Sequence, residues 1–246
     1  MDDFYEIPDG LSELRKEMPT ITNLIAHTAR WVHPETFRAL PVWYPEIARG
    51  QPIYDAGFSA VLTNKNRVTA TVNDKSEPNI KAGKAFVAAL GTRRTGNWTV
   101  CHIWGVDDPK FQLTNTVVRD PRFYSCVANM VLLPTPLKGF TDAVPEIKRM
   151  LRICAYHLYG WACEHDGVRA QYNEVCSGII PDGYPSDWPT VDRHVLPPNT
   201  APFSLCVQSA IKKRKSELRR LIRDQSLVKF PRAQVEEVLK YWKLEL

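Results

Sequence analysis

Residues 97–104, NWTVCHIW, and residues 128–142, ANMVLLPTPLKGFTD, decide how this chain is read. In the first stretch Trp98, Val100, His102 and Trp104 fall on one face of an extended segment, because side chains of a strand alternate between its two sides. The second stretch holds a short apolar run, Met130 to Leu133, that reads as another strand. A turn-rich connection carrying Asp107, Asp108, Pro109, Asp120 and Pro121 separates the two. From Val144 onward Ile147, Leu151, Cys154, Leu158 and Trp161 recur at steps of three and four residues, which predicts a core-facing helix running to about His165. Two strands followed by a helix thus form the centre of the sequence.

Working outward, residues 11–49 read as helices broken by Pro34, Pro41 and Pro45, and the aromatic run around Trp31, Phe37, Trp43 and Tyr44 reads as a packed cluster. The β-branched runs 60–63 and 68–72, set among Asn64, Asn66, Asn73, Asp74 and Asn79, predict a hairpin or extended excursion. A helix is predicted over 79–90, with Gly91 as its C-cap. Downstream, Pro181, Pro185, Pro189, Pro197, Pro198 and Pro202 exclude regular structure over 177–203. A basic helix is predicted over 204–224, and an amphipathic one near 232–243 with Val235, Val238, Leu239 and Trp242 as its stripe. The expectation is an α+β fold, helices around a small β-hairpin core. Its parts are a helical and irregular region (1–92), the strand–strand–helix core (93–170), and a proline-rich connection with a basic helical module (171–246).

The 246 residues are 44% hydrophobic and 24% charged, which excludes a disordered or fibrous chain. The six cysteines stand singly without a C-x-x-C pair, so reduced, mostly buried thiols are expected rather than a disulfide framework or a zinc ribbon. The acidic opening MDDFYEIPDG is unlike a secretory leader, and no stretch approaches the roughly 18 apolar residues of a membrane span. A cytoplasmic protein without membrane attachment is expected. The net charge of +5 is mild, but its distribution is uneven. Lys212, Lys213, Arg214, Lys215, Arg219, Arg220 and Arg223 crowd one helix, a candidate stripe for a phosphate backbone. Arg93, Arg94, Lys81 and Lys84 are candidates for the same footprint.

The ordered set His102, Asn129, Lys138 and Asp142 resembles the signature of HNH nucleases, in which a strand-end histidine is followed by an N-x-x-x-L-(C/P) segment, a further polar residue and an acidic one. The resemblance covers about residues 97–165. It implies a ββα-metal core and a divalent-metal-dependent DNA endonuclease, with restriction or defence as its setting and a homodimer if the DNA site is palindromic. His102 would be the general base and a metal neighbour, Asn129 would hold the loop and orient the imidazole, and Asp142 would bind Mg²⁺ or Mn²⁺. Two positions depart from the pattern. Cys101 stands where the family commonly has a metal-binding aspartate, and Lys138 stands where His or Asn is usual; a lysine can contact phosphate but does not readily ligate metal.

Each residue also has a plainer reading: His102 as a core histidine, Asn129 as a turn former, Asp142 as a helix N-cap ahead of Pro145, Lys138 as a surface lysine, and the basic run as a solvated face. Two other functions follow from them, a non-catalytic nucleic-acid-binding protein that keeps an HNH-like fold, and a protein-interaction module built on the aromatic N-terminal region and the final helix.

Overall fold

The computed structural model describes residues 6–55, 57–93, 95–108 and 112–246. Helices predominate over two separate two-stranded antiparallel sheets, an α+β arrangement. The N-terminal region forms α1 (Gly10–Lys16), α2 (Met18–Thr28) and α3 (Pro34–Ala39). Proline stands at the start of α2 and of α3, where its missing N–H costs nothing.

An excursion follows, built from β1 (Thr63–Lys65) and β2 (Val72–Asp74). Each strand begins at the last residue of its expected run, because residues 66–71 form the turn: the Asn66 side chain accepts hydrogen bonds from the backbone of Val68 and Thr69, and Ala70 adopts φ +54°. Helix α4 (Ile80–Leu90) ends at Gly91, which takes the left-handed conformation (φ +65°) that favours glycine. A Cβ there would also stand 2.6 Å from the Val207 side chain, so the same glycine admits the close approach of the basic helix.

The central hairpin pairs β3 (Trp98–His102) with β4 (Met130–Pro134). Between them lies α5 (Pro121–Tyr124), and after them come α6 (Lys138–Ala143) and α7 (Pro145–Tyr159). The helix expected to reach His165 stops at Tyr159, because Gly160 turns left-handed (φ +66°) and closes it. Beyond are α8 (Arg169–Cys176), the irregular proline-rich stretch, α9 (Leu205–Arg223) capped by Ser204, and α10 (Arg232–Tyr241).

The main hydrophobic cluster draws on all three stretches of the chain, from Ile21 to Ile211. Trp31, Trp104 and Trp188 are fully buried in it, with Trp31 edge-on to Trp188 at 5.8 Å. Both strands of the central hairpin are enclosed: the Arg30 and Leu132 backbones bridge on its outer edge, and α4 and α6 lie against β3. A smaller cluster of Leu221, Leu227, Phe230 and Val235 ties α10 to the end of α9. All six cysteines are free thiols; Cys176 and Cys206 are exposed and the rest buried. Among the described residues no helix is long and apolar enough to cross a membrane.

Candidate active-site cleft

A cleft of about 760 Å³ opens at the end of β3, and its walls bring together His102, Lys138 and Asp142 with Cys101, Arg49, Arg119 and Lys148. Three of the four residues of the HNH-like set therefore border one cleft. Asn129 does not line the cleft.

His102 is the last residue of β3. Its Nε2–H donates to the carbonyl of Tyr124 at 2.9 Å, and its ring lies nearly parallel to the Tyr124 ring at 6.0 Å. A carbonyl only accepts, so this bond fixes the proton on Nε2 and leaves Nδ1 with the lone pair. Burial pushes the imidazole down to about 4, against the raising effect of the Tyr124 carbonyl and with a smaller lowering from Arg49. At neutral pH the ring is uncharged, and in the free protein its proton affinity is low.

Tyr124 is held in turn by a hydrogen bond of 2.6 Å from its hydroxyl to buried Glu77, which also caps α4 by accepting from Lys81 N at 2.8 Å. Asn129, fully buried, spends both ends of its side chain on backbone: Oδ1 accepts from Trp104 N (2.9 Å) and Nδ2 donates to Phe123 O (3.1 Å). It holds the loop, as expected, but it touches no imidazole atom. Its influence on His102 runs through the 123–124 backbone whose carbonyl fixes the ring.

The exit of β3 is clamped from α7. Fully buried Arg152 donates to the carbonyls of Ile103 (2.8 Å) and Gly105 (3.0 Å), and grips Asp107 with both terminal nitrogens (2.8 and 2.6 Å). Lys148, one turn earlier on α7, lies 3.7 Å from the same carboxylate and donates to the Val106 carbonyl at 3.3 Å. The bidentate guanidinium, ahead of any other attraction, offsets the desolvation of Asp107 and holds its carboxyl below the ordinary range. Tyr124, Arg152 and Arg49 were not singled out from sequence, and Asp107 was read only as part of a turn-rich connection. The one available signal was two cations, Lys148 and Arg152, four residues apart on an otherwise apolar helix face, which demands a buried counter-charge.

Asp142 lies inside α6, not at the cap of the following helix, and its carboxylate is engaged by Lys138 one turn earlier. Burial pushes the Cys101 thiol up to about 11, so it stays protonated at neutral pH and serves neither as thiolate ligand nor as nucleophile. These donors do not fit the Mg²⁺ or Mn²⁺ ion implied by the HNH resemblance, because the one carboxylate expected to hold it already holds an ammonium. Among the described residues no three His, Cys, Asp or Glu side chains are grouped so as to hold a metal ion.

The basic stripe on α9 divides. Arg214 is buried: it donates to the Trp43 carbonyl (2.6 Å), pairs with Glu46 (2.6 Å) and Glu217 (2.8 Å), and covers the Tyr44 ring at 4.5 Å. It is therefore a structural cation and withdrawn from any nucleic-acid footprint. Lys212, Lys213, Arg219 and Arg220 are exposed, as is Arg93, whereas Lys215 is half-buried and donates to the Glu245 carbonyl. None of the α9 cations lines the His102 cleft. Arg94 lies outside the described residues.

No known protein family model, curated protein or solved structure matches the chain.

Proposed function

We propose that this chain is a phosphodiester hydrolase acting on DNA, an HNH-like endonuclease in which His102 is the general base. The observation that carries the reading is the bond from His102 Nε2–H to the Tyr124 carbonyl, which leaves the lone pair on Nδ1 of a residue in the wall of a cleft also lined by Arg49, Arg119, Lys138 and Lys148 and by the carboxylates Glu77, Asp108 and Asp142. A base held in one tautomer in a cleft with Arg49 and Arg119, beside Lys138 and Lys148 that already face Asp142 and Asp107, suits hydrolysis of an anionic phosphodiester: Nδ1 takes the proton of water as its oxygen bonds to phosphorus, the P–O bond to the leaving strand breaks, and the arginines neutralise charge on the phosphate. An anion held there would also offset Arg49, whose charge lowers the proton affinity of the ring in the free protein. The order of β3, β4 and α6 supports a ββα unit. Restriction or defence, and a homodimer on a palindromic site, remain the setting that the resemblance suggests.

The Lys138–Asp142 pair favours a second reading, a non-catalytic nucleic-acid-binding protein in which the ammonium has replaced metal chemistry. One experiment separates the two. The full chain is incubated with supercoiled plasmid DNA, with and without Mg²⁺ or Mn²⁺, beside His102→Ala. Nicking that is lost in the variant supports the hydrolase; DNA that is bound yet left intact by both proteins selects the binding protein; absence of binding at low salt overturns both.

A further inference from the structure

The β1–β2 hairpin differs from every other element in being unburied on both faces. All residues from Leu62 to Ser76 are exposed. An isolated two-stranded ribbon is marginal in water, so its shape must be imposed at its ends. At the base, the Ile53 backbone bonds both legs, donating to the Lys75 carbonyl and accepting from Leu62 N, each at 2.8 Å. At the tip, the Asn66 side chain fixes the turn. The ribbon is thus preformed without a core of its own.

Its register places Asn64 directly opposite Asn73. The two carboxamides share one face, and neither has a hydrogen-bond partner among the described residues. Together with Lys75 they border a groove of about 490 Å³ whose apolar side includes Ile53, Pro78 and Ile80. Ser76 and Pro78 line both this groove and the His102 cleft, so the ribbon rises from the rim of the cleft. Lys65, Arg67 and Lys75 against the single Asp74 make the arm cationic.

We propose that this ribbon is a sequence-reading arm that enters a groove of duplex DNA while the phosphate backbone lies in the His102 cleft. The proposal rests on the nucleic-acid reading above. The major groove admits a two-stranded ribbon, and a carboxamide pairs bidentately with the N6 and N7 edge of adenine. Asn64 and Asn73 supply that chemistry; Lys65 and Arg67 supply contacts to phosphate, which position the arm without reading sequence. The arm has no apolar face for a core to cover, and its positive charge complements a polyanion.

The test is anisotropy titration of the full chain with two labelled duplexes of equal length, one of mixed sequence and one containing only G·C pairs, over a range of salt. Wild-type protein is expected to prefer the mixed duplex by about tenfold, the scale of one or two bidentate base contacts. N64A/N73A should abolish that preference and leave G·C binding within about threefold. K65A/R67A should weaken both duplexes and flatten the dependence of log K on log salt by about 2, near 0.9 for each lost phosphate contact. Exposed positions leave folding intact, which a thermal melt verifies. Ribbon variants that match a DNA-binding wild type in both preference and salt slope overturn the arm and leave the nucleic-acid reading standing. A wild-type chain that binds neither duplex at low salt overturns that reading and the arm with it.

Discussion

Two antiparallel hairpins occur in this molecule, and they have opposite fates. The β3–β4 hairpin is packed against α2, α4 and α6, and in four of its five pairs both residues are apolar or aromatic, Val100 opposite Leu132, Cys101 opposite Val131 and His102 opposite Met130 among them. The β1–β2 hairpin pairs Thr63 with Asp74, Asn64 with Asn73 and Lys65 with Val72, and buries nothing. A polar ribbon gains no hydrophobic free energy from a core, so its shape depends on turn chemistry and on its stem. The buried hairpin must instead satisfy every polar group it encloses. Asn129, Arg152 and the Tyr124 carbonyl contribute to this, and the last of these bonds fixes the imidazole. Rigidity and function are coupled in one hairpin and separable in the other.

The sharpest way to break that contrast is Arg152→Ala. It leaves the Ile103 and Gly105 carbonyls and the Asp107 carboxylate without their guanidinium, and removing one member of a buried ion pair costs about 3–5 kcal/mol. The urea midpoint should fall accordingly, and any DNA cleavage should fall with it. Asn129→Ala should cost about 2 kcal/mol in the same measurement, since Trp104 N and Phe123 O lose their partners.

Acid provides a third probe. His102 titrates at about 4 in the folded chain against 6.5 for an unperturbed imidazole, so on acidification the unfolded state takes up the proton first. Its contribution is present above pH 6.5 and is lost as pH falls towards 4, by up to about 3 kcal/mol at one proton per molecule. His102→Gln should flatten the stability profile over this window, with denaturant midpoints at pH 4.5 and 7 as the readout. In the exposed ribbon, Asn64→Ala and Lys65→Ala should each change stability by less than about 0.5 kcal/mol in the same assay.

Much of the fold was legible because its signals are local. Gly91 as a C-cap, the apolar alternation of β3 and the helical period of α7 all depend on neighbouring residues. The overshoot of α7 to His165 came from following the apolar period through Trp161, which packs in the core from beyond Gly160 without being helical. The site was legible in part. His102, Lys138 and Asp142 border the same cleft because the strand–strand–helix order places the end of β3 beside α6. The parts that tune them were hidden because they are tertiary: the Tyr124 carbonyl is a backbone group, and Arg152 meets Asp107 only after the chain folds back from 45 residues away. Arg214 shows the same limit from the other side. One-dimensional charge counted it with the surface stripe, whereas Glu46, 168 residues distant in sequence, takes it inside.

The central claim is that the carbonyl-locked imidazole at the end of β3 acts as a base on DNA. Plasmid nicking by wild type and His102→Ala, compared at pH 7 on proteins of matched thermal stability, tests it most directly. The account predicts nicking by wild type and a loss of about 10²–10⁴-fold in the variant, the usual contribution of a positioned base. Equal nicking by both proteins, or intact plasmid with both under every metal condition, would contradict it.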